Sequence, residues 1–126
     1  MKEIINTDKA PAPVGPYNQS VKVGNMLFVS GQIPINPENG ELVKESIEAE
    51  TEQVMLNLKA VLAAAGADFS NVAKASVFVK DMNDYSKINA VYAKYFDEDT
   101  APARELVEVA NLPKFVNVEI SVIAAL

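Results

Sequence analysis

The chain has 126 residues, 49% apolar and 22% charged, enough to bury a core and matching the length of one domain over residues 1–126. It contains no Cys and no His, which excludes disulfides, thiolate or imidazole chemistry, a Ser-His-Asp triad and zinc–thiolate sites. A net charge of −6 repels phosphate backbones, so no nucleic-acid partner is expected.

The N-terminal stretch MKEIINTDKAPAPVGP puts charge and proline directly after Ile4 and Ile5, where a secretory leader would carry its apolar core. No apolar run is long enough to span a bilayer. The expectation is a cytoplasmic protein without a membrane span. Residues 2–7 read as an edge strand. Residues 10–19, APAPVGPYNQ, hold three prolines and a glycine and predict a stiff, irregular loop. Tyr17 on that loop reads either as an aromatic lying on the core or as the wall of a pocket. Gly24-Asn25 separates two apolar, β-branched runs, 20–23 and 26–30, and predicts a hairpin. Its second strand runs into Ser30-Gly31-Gln32, where a glycine permits either a bend or close approach of a ligand to the backbone. Residues 34–43 read as a surface turn.

Residues 46–65 carry the clearest helical period, with Ile47, Val54, Met55, Leu58, Val61, Leu62 and Ala65 on one face. Ser46 is the expected N-cap and Gly66 suits the left-handed position past the end. Its glutamates read as a solvated face. Residues 72–80 alternate as a strand, with Ala73, Ala75, Val77 and Val79 on an apolar face and Val72, Lys74, Ser76, Phe78 and Lys80 on a mixed one. A second helix is predicted over 84–96, with Tyr85, Ile88, Val91, Tyr92 and Tyr95 as its stripe and Asn89 at the stripe's edge.

Two strands are predicted at the C-terminus, 104–110 and 117–126. In the first, Val107 and Val109 oppose Arg104, Leu106 and Glu108. In the second, Val118, Ile120, Val122 and Ala124 oppose Asn117, Glu119 and Ser121. With the apolar sets turned to the helices and the two strands paired as a hairpin around 111–114, Arg104 and Glu119 meet on the sheet face away from the helices. The order is β, ββ, α, β, α, ββ. It predicts an α+β fold: a mixed, mostly antiparallel sheet with two helices packed on one face. The other face, bearing Leu106, Phe78 and Ile123, then needs cover, most simply another copy of the chain.

An arginine suits a carboxylate, and a half-buried glutamate can act as a base on water or stabilise a cationic centre. Together Arg104 and Glu119 fit a small substrate with a carboxylate at one end and a hydrolysable carbon at the other. The plainer reading of the residue types is a structural ion pair of Arg104 with Glu119, Glu108 or Glu105. No carboxylate spacing suits an all-oxygen metal site, so no metal is expected.

Three segments, PVGPYNQSVKVGNMLFVSGQIPINPENGEL, VFVKDMNDYSKINAVYAKYF and PARELVEVANLPKFVNVEI, closely resemble the Rid family, also called YjgF. The resemblance covers nearly the whole chain, and the combination of GPY, VSGQ, PAR and LP followed by VEI is more specific than any one of them. It implies a chorismate-mutase-like α+β fold and homotrimers with sites between subunits. It also implies cofactor-free hydrolysis of 2-imino acids such as 2-iminopropanoate and 2-iminobutanoate to 2-oxo acids and ammonia. Under that resemblance Arg104 matches the family's carboxylate-binding arginine and Glu119 the glutamate that positions or activates water. Tyr17 matches a pocket tyrosine, Ser30 and Gly31 match residues whose backbone lines the pocket, and Asn89 falls on a recurring position. Leu106 stands where many members have Cys, Glu105 replaces a small residue, and Ser121 replaces a frequent Glu; these bear on substrate preference. The alternative is a non-catalytic binder of 2-oxo acids or amino acids at the same cleft. Mutase chemistry rests on fold analogy alone, and ribonuclease chemistry fits poorly with an acidic chain that has no His.

Overall fold

The hairpin near the N-terminus forms because Gly24 takes φ +60°, a left-handed conformation that glycine adopts without a Cβ clash. In the computed structural model, which describes all 126 residues, it joins strands β2 (Ser20–Val23) and β3 (Met26–Gln32). The other elements are β1 (Lys2–Ile5), helix α1 (Ile47–Ala64), β4 (Val72–Val79), helix α2 (Tyr85–Tyr92), β5 (Ala103–Glu108) and β6 (Val118–Ala125). The six strands form one mixed sheet in the order β1-β2-β3-β6-β4-β5. Every pairing is antiparallel except β4 with β5.

That exception corrects the predicted C-terminal hairpin. β5 follows β4 through α2, and strands joined by a helical crossover run parallel and lie side by side. β6 instead inserts between β3 and β4, so β4 separates β5 from β6. The register then reverses the predicted faces of β5. Arg104 stands opposite Ala75 and Leu106 opposite Val77, and both partners are fully buried. Arg104, Leu106 and Glu108 therefore share the helix face, while Glu105 and Val107 look the other way.

The helix face is where the core sits. Val54, Met55, Leu58, Val61 and Leu62 of α1 and Ile88 and Tyr92 of α2 pack with Leu27 and Val29 of β3, Ala75, Val77 and Val79 of β4, and Val118, Ile120, Val122 and Ala124 of β6. Each large side chain fully buried there contributes about 1.5–3 kcal/mol. α1 starts as predicted: the Ser46 hydroxyl accepts from the Ala49 N–H at 3.0 Å, and Gly66 follows the helix at φ +76°. One glutamate departs from the expected solvated face. Glu50 is buried and accepts from the backbone N–H and the Nδ2 of Asn117 at 3.1 and 2.7 Å, tying α1 to the start of β6. The second helix is shorter than predicted, because a 3-10 turn at Ala93–Tyr95 replaces its last part.

The opposite face has no helix over it. Alternation puts Val21, Val23, Phe28, Ile123, Phe78 and Val107 there; Leu106, expected among them, packs into the core instead. Phe28 is 45% exposed and Val107 41%, so this apolar face is left to water in a single chain. No helix is long and apolar enough to cross a membrane, and no group of three or more Asp or Glu residues is arranged to hold a metal ion.

Candidate active site

The loop of residues 10–19 is shaped by one buried side chain. Gln19 is 2% exposed. Its Nε2 donates to the carbonyls of Thr7, Ala10 and Pro11 at 2.9, 3.2 and 2.8 Å, and its Oε1 accepts from the Thr7 N–H at 2.6 Å. A proline-rich stretch has few N–H groups to offer, so its carbonyls are satisfied by this amide. The next anchor is Ser30, whose N–H donates to the Gln19 carbonyl at 2.9 Å and whose Oγ donates to the Asn18 carbonyl at 2.6 Å. Asn57 of α1 holds the following loop by donating to the carbonyls of Ile33 and Ile35.

Between these loops lies a cavity of about 480 Å³. Tyr17, Ser30, Gly31 and Glu119, all singled out from the sequence, line it together. Pro11, Ala12 and Val14 of the proline-rich loop, with Gln19, Gln32, Ile33, Ile35, Pro113 and Lys114, complete the walls. Glu119 projects from β6 on the face away from the helices, opposite Phe78 of β4. Burial pushes its carboxyl above the ordinary glutamate range. Its carboxylate lies over Gly31, where a Cβ would sit 2.1 Å from Oε2. Gly31 is therefore required by contact, not by an unusual φ. It falls in the stretch between Val29 and Gln32 where the ladder of β3 with β6 shifts register, the kind of irregularity that re-aims strands beside sites.

Arg104 is elsewhere. From β5 it turns to α2, where Nη1 donates to Asn89 Oδ1 at 2.8 Å and Nη2 to the Tyr85 hydroxyl at 3.2 Å. The guanidinium carbon stands 4.8 Å from the Tyr92 ring centre, a cation–π arrangement. Tyr92 is buried with its hydroxyl unpartnered; burial raises its pKa, partly offset by the Arg104 cation. Asn89 thus positions the arginine, and Leu106, two residues on, packs against the core and does not line the cavity. None of the predicted ion pairs forms. Glu105 pairs with Lys74 at 3.3 Å, Glu108 accepts from the Met82 N–H at 2.8 Å, and Glu119 lies in the cavity.

The sequence-predicted residues consequently fall into two groups on opposite faces of the sheet: Tyr17, Ser30, Gly31 and Glu119 on one, Arg104, Asn89 and Leu106 on the other. The cavity half holds a partly desolvated carboxylate under backbone of a bulged strand, suited to proton transfer with a bound water. The other half holds a cation by neutral partners, suited to an incoming anion. Gln19 and Lys114 were not singled out in the sequence. The proline-rich segment before Gln19, with its surplus of carbonyls, was the available signal for the first; nothing in the sequence marked the second beyond its place in a turn.

The family described as endoribonuclease L-PSP matches residues 7–126. A RutC family protein of Pyrococcus horikoshii is 55% identical over 124 residues, covering 98% of both chains. The chloroplastic reactive intermediate deaminase A of Arabidopsis thaliana is 45% identical over 125 residues, covering 99% of this chain and 66% of the plant protein. Among solved structures, a Rid-family protein of unknown function from Yersinia pestis superposes with a TM-score of 0.97 at 44% identity over the full length of both chains.

Proposed function

Because the chain belongs to the endoribonuclease L-PSP family, the Rid or YjgF family, we propose that it is a deaminase that hydrolyses reactive 2-imino acids to 2-oxo acids and ammonia. One observation carries this reading: Arg104 pairs with none of the seventeen Asp and Glu residues of the chain. An arginine held by an amide, a phenol and an aromatic face, with no carboxylate of its own chain as partner, is left free for a carboxylate from outside. The name of the Arabidopsis relative, a reactive intermediate deaminase, supports the same reaction class. The family's description as an endoribonuclease finds no support in a chain of net charge −6 without His.

Because Arg104 and Glu119 occupy opposite faces, one small imino acid reaches both only when the arginine of one copy meets the glutamate of another. The uncovered apolar sheet face supplies the surface for such an assembly, and a homotrimer with three shared sites is the arrangement proposed. In it, Arg104 holds the substrate carboxylate through its planar fork, steadied by Asn89 and Tyr85. Glu119 takes a proton from a water lodged in the cavity as the water oxygen bonds to the imine carbon and the C=N π pair moves to nitrogen. Glu119 returns that proton to the nitrogen of the carbinolamine. Glu119, again the free base, takes the proton of the hydroxyl as C=O forms, the C–N bond breaks with its electron pair going to nitrogen, and ammonia leaves; Glu119 then passes the proton to solvent. The protonated imine is a strong electrophile, so positioning and modest base catalysis suffice, with no cofactor in any step.

The test is ammonia release from 2-aminoacrylate generated in place by a dehydratase. Arg104→Ala and Glu119→Ala, each folded, are expected to abolish the acceleration when expressed singly. Co-expressed in equal amounts they assemble at random, and about one interface in four combines an intact arginine with an intact glutamate, restoring about a quarter of the wild-type rate. Full activity of Arg104→Ala would overturn the mechanism; a co-expressed mixture without activity would overturn the shared site.

A further inference from the structure

The cavity contains two charged residues, Glu119 and Lys114, and the mechanism uses only the first. Lys114 is not paired with it. The chain's two ion pairs are Lys74–Glu105 and Lys94–Glu52, and the shift of Glu119 comes from burial with no cation to offset it. A lysine thus shares the cavity with a carboxylate without pairing to it.

The backbone that puts Lys114 there is costly. Lys114 and Phe115 are consecutive non-glycine residues at φ +54° and +57°, a region that L side chains avoid. The turn is held at both ends: Leu112 and Val116 are buried, and the N–H groups of Phe115 and Val116 donate to the carbonyls of Leu112 and Pro113. The strain is not repaid by burying Phe115, which is 82% exposed. Lys114 stands on this turn at the rim that the cavity shares with the groove of Leu42, Val43 and Asn117, and strain kept by a rigid surround at a site points to function. The cavity is also roomy. At about 480 Å³ it lies in the range of about 300–1,000 Å³ that takes drug-sized ligands, more than a three-carbon imino acid fills.

We propose that Lys114 is a specificity-determining residue, which holds a second carboxylate carried on the side chain of a dicarboxylic 2-imino acid. This rests on the imine deaminase reading for the reaction, with the substrate's first carboxylate on Arg104 of a neighbouring copy and the side chain extending along the cavity to Lys114. The ammonium adds attraction only for substrates with the second charge, so it separates dicarboxylic from monocarboxylic imines.

The test compares wild type, Lys114→Asn and Lys114→Arg in the complete protein. Asn tolerates the left-handed backbone, so it removes the charge and spares the turn. Imines are generated in place by amino-acid oxidases from alanine and from aspartate or glutamate. Lys114→Asn is expected to lose about tenfold in kcat/KM on the dicarboxylic imines and less than about twofold on 2-iminopropanoate, and Lys114→Arg to stay close to wild type on both. Equal losses on both substrate types, or no loss on either, overturn the proposal. If wild type accelerates neither reaction, the deaminase reading has failed, and Lys114 is judged by calorimetric binding of a dicarboxylic against a monocarboxylic 2-oxo acid. A wild-type preference for the dicarboxylate that falls about tenfold in Lys114→Asn sustains the assignment. No preference, or one that survives the substitution, overturns it.

Discussion

Replacing Gly31 with alanine separates placement of the Glu119 carboxylate from its presence. The added Cβ would lie 2.1 Å from Oε2, 2.9 Å from Cδ and 3.1 Å from Cγ of Glu119. Carbon–oxygen contacts ordinarily begin near about 3.3 Å, so the carboxylate has to retreat by about 1 Å or more. The folded chain can allow this, because the obstructing atoms are the far end of a half-buried, flexible side chain and the φ of Gly31 is one that alanine accepts. The stability cost then falls at the low end of the range of about 1–3 kcal/mol for overpacking. Activity is less forgiving: a displacement of about 1 Å at a reacting group costs about 10²-fold, or about 2.7 kcal/mol of transition-state stabilisation. The assay is ammonia release in the dehydratase-coupled reaction, with thermal unfolding in parallel. Gly31→Ala should remain folded and lose about 10²-fold in kcat. In a Glu119→Ala background the same change should no longer lower the unfolding temperature, because the group it displaces is gone. A Gly31→Ala protein within about threefold of wild type in kcat, or one whose stability cost persists undiminished in the Glu119→Ala background, would refute the reasoning.

Two further outcomes follow from the same geometry. Burial raises the Glu119 carboxyl above its unfolded value, so the folded state holds the proton more tightly. That contribution to stability is fully present below the unfolded pKa and is lost as pH rises through the raised folded one. Glu119→Gln should therefore unfold at the wild-type temperature at about pH 4 and at a higher one at about pH 8; the gain is small because the side chain is partly exposed, and a gain confined to acid pH would contradict the assignment. Gln19→Ala removes the donor that satisfies the carbonyls of Thr7, Ala10 and Pro11. It should cost about 2–3 kcal/mol, lowering Tm by about 10 °C, and open the 10–19 loop to proteolysis, as followed by calorimetry and limited digestion.

Much of this was legible from local patterns. The Gly24 turn, the Ser46 cap, the apolar face of α1 and the alternation of β4 and β6 each depend on neighbours a few residues away, and each is found where the periodicity put it, except at the start of β4, where the register shift between Val72 and Lys74 turns Val72 into the core and leaves Ala73, expected inside, exposed. The alternation of β6 also put Glu119 on the face away from the helices. β5 misled because an edge strand has one covered side and short apolar runs. Val107 and Val109 resembled a core-facing set, but the register with β4 sends Arg104 and Leu106 inward instead. The crossover through α2 was readable in principle, since two strands flanking a helix favour a parallel pair.

By itself, the sequence determined which chemistries were open to this chain, which residues were candidates to perform them, and the α+β order of its elements. Those follow from residue type and short-range period. Only the tertiary structure decided that Arg104 and Glu119 lie on opposite faces, that Gly31 is required by the Glu119 carboxylate, and that Gln19 and Lys114 shape the cavity. Strand partners are chosen by the whole sheet, and the face a side chain takes depends on the register of strands far apart in the chain. An arginine and a glutamate fifteen residues apart were thus parted by β4, a strand from the middle of the sequence.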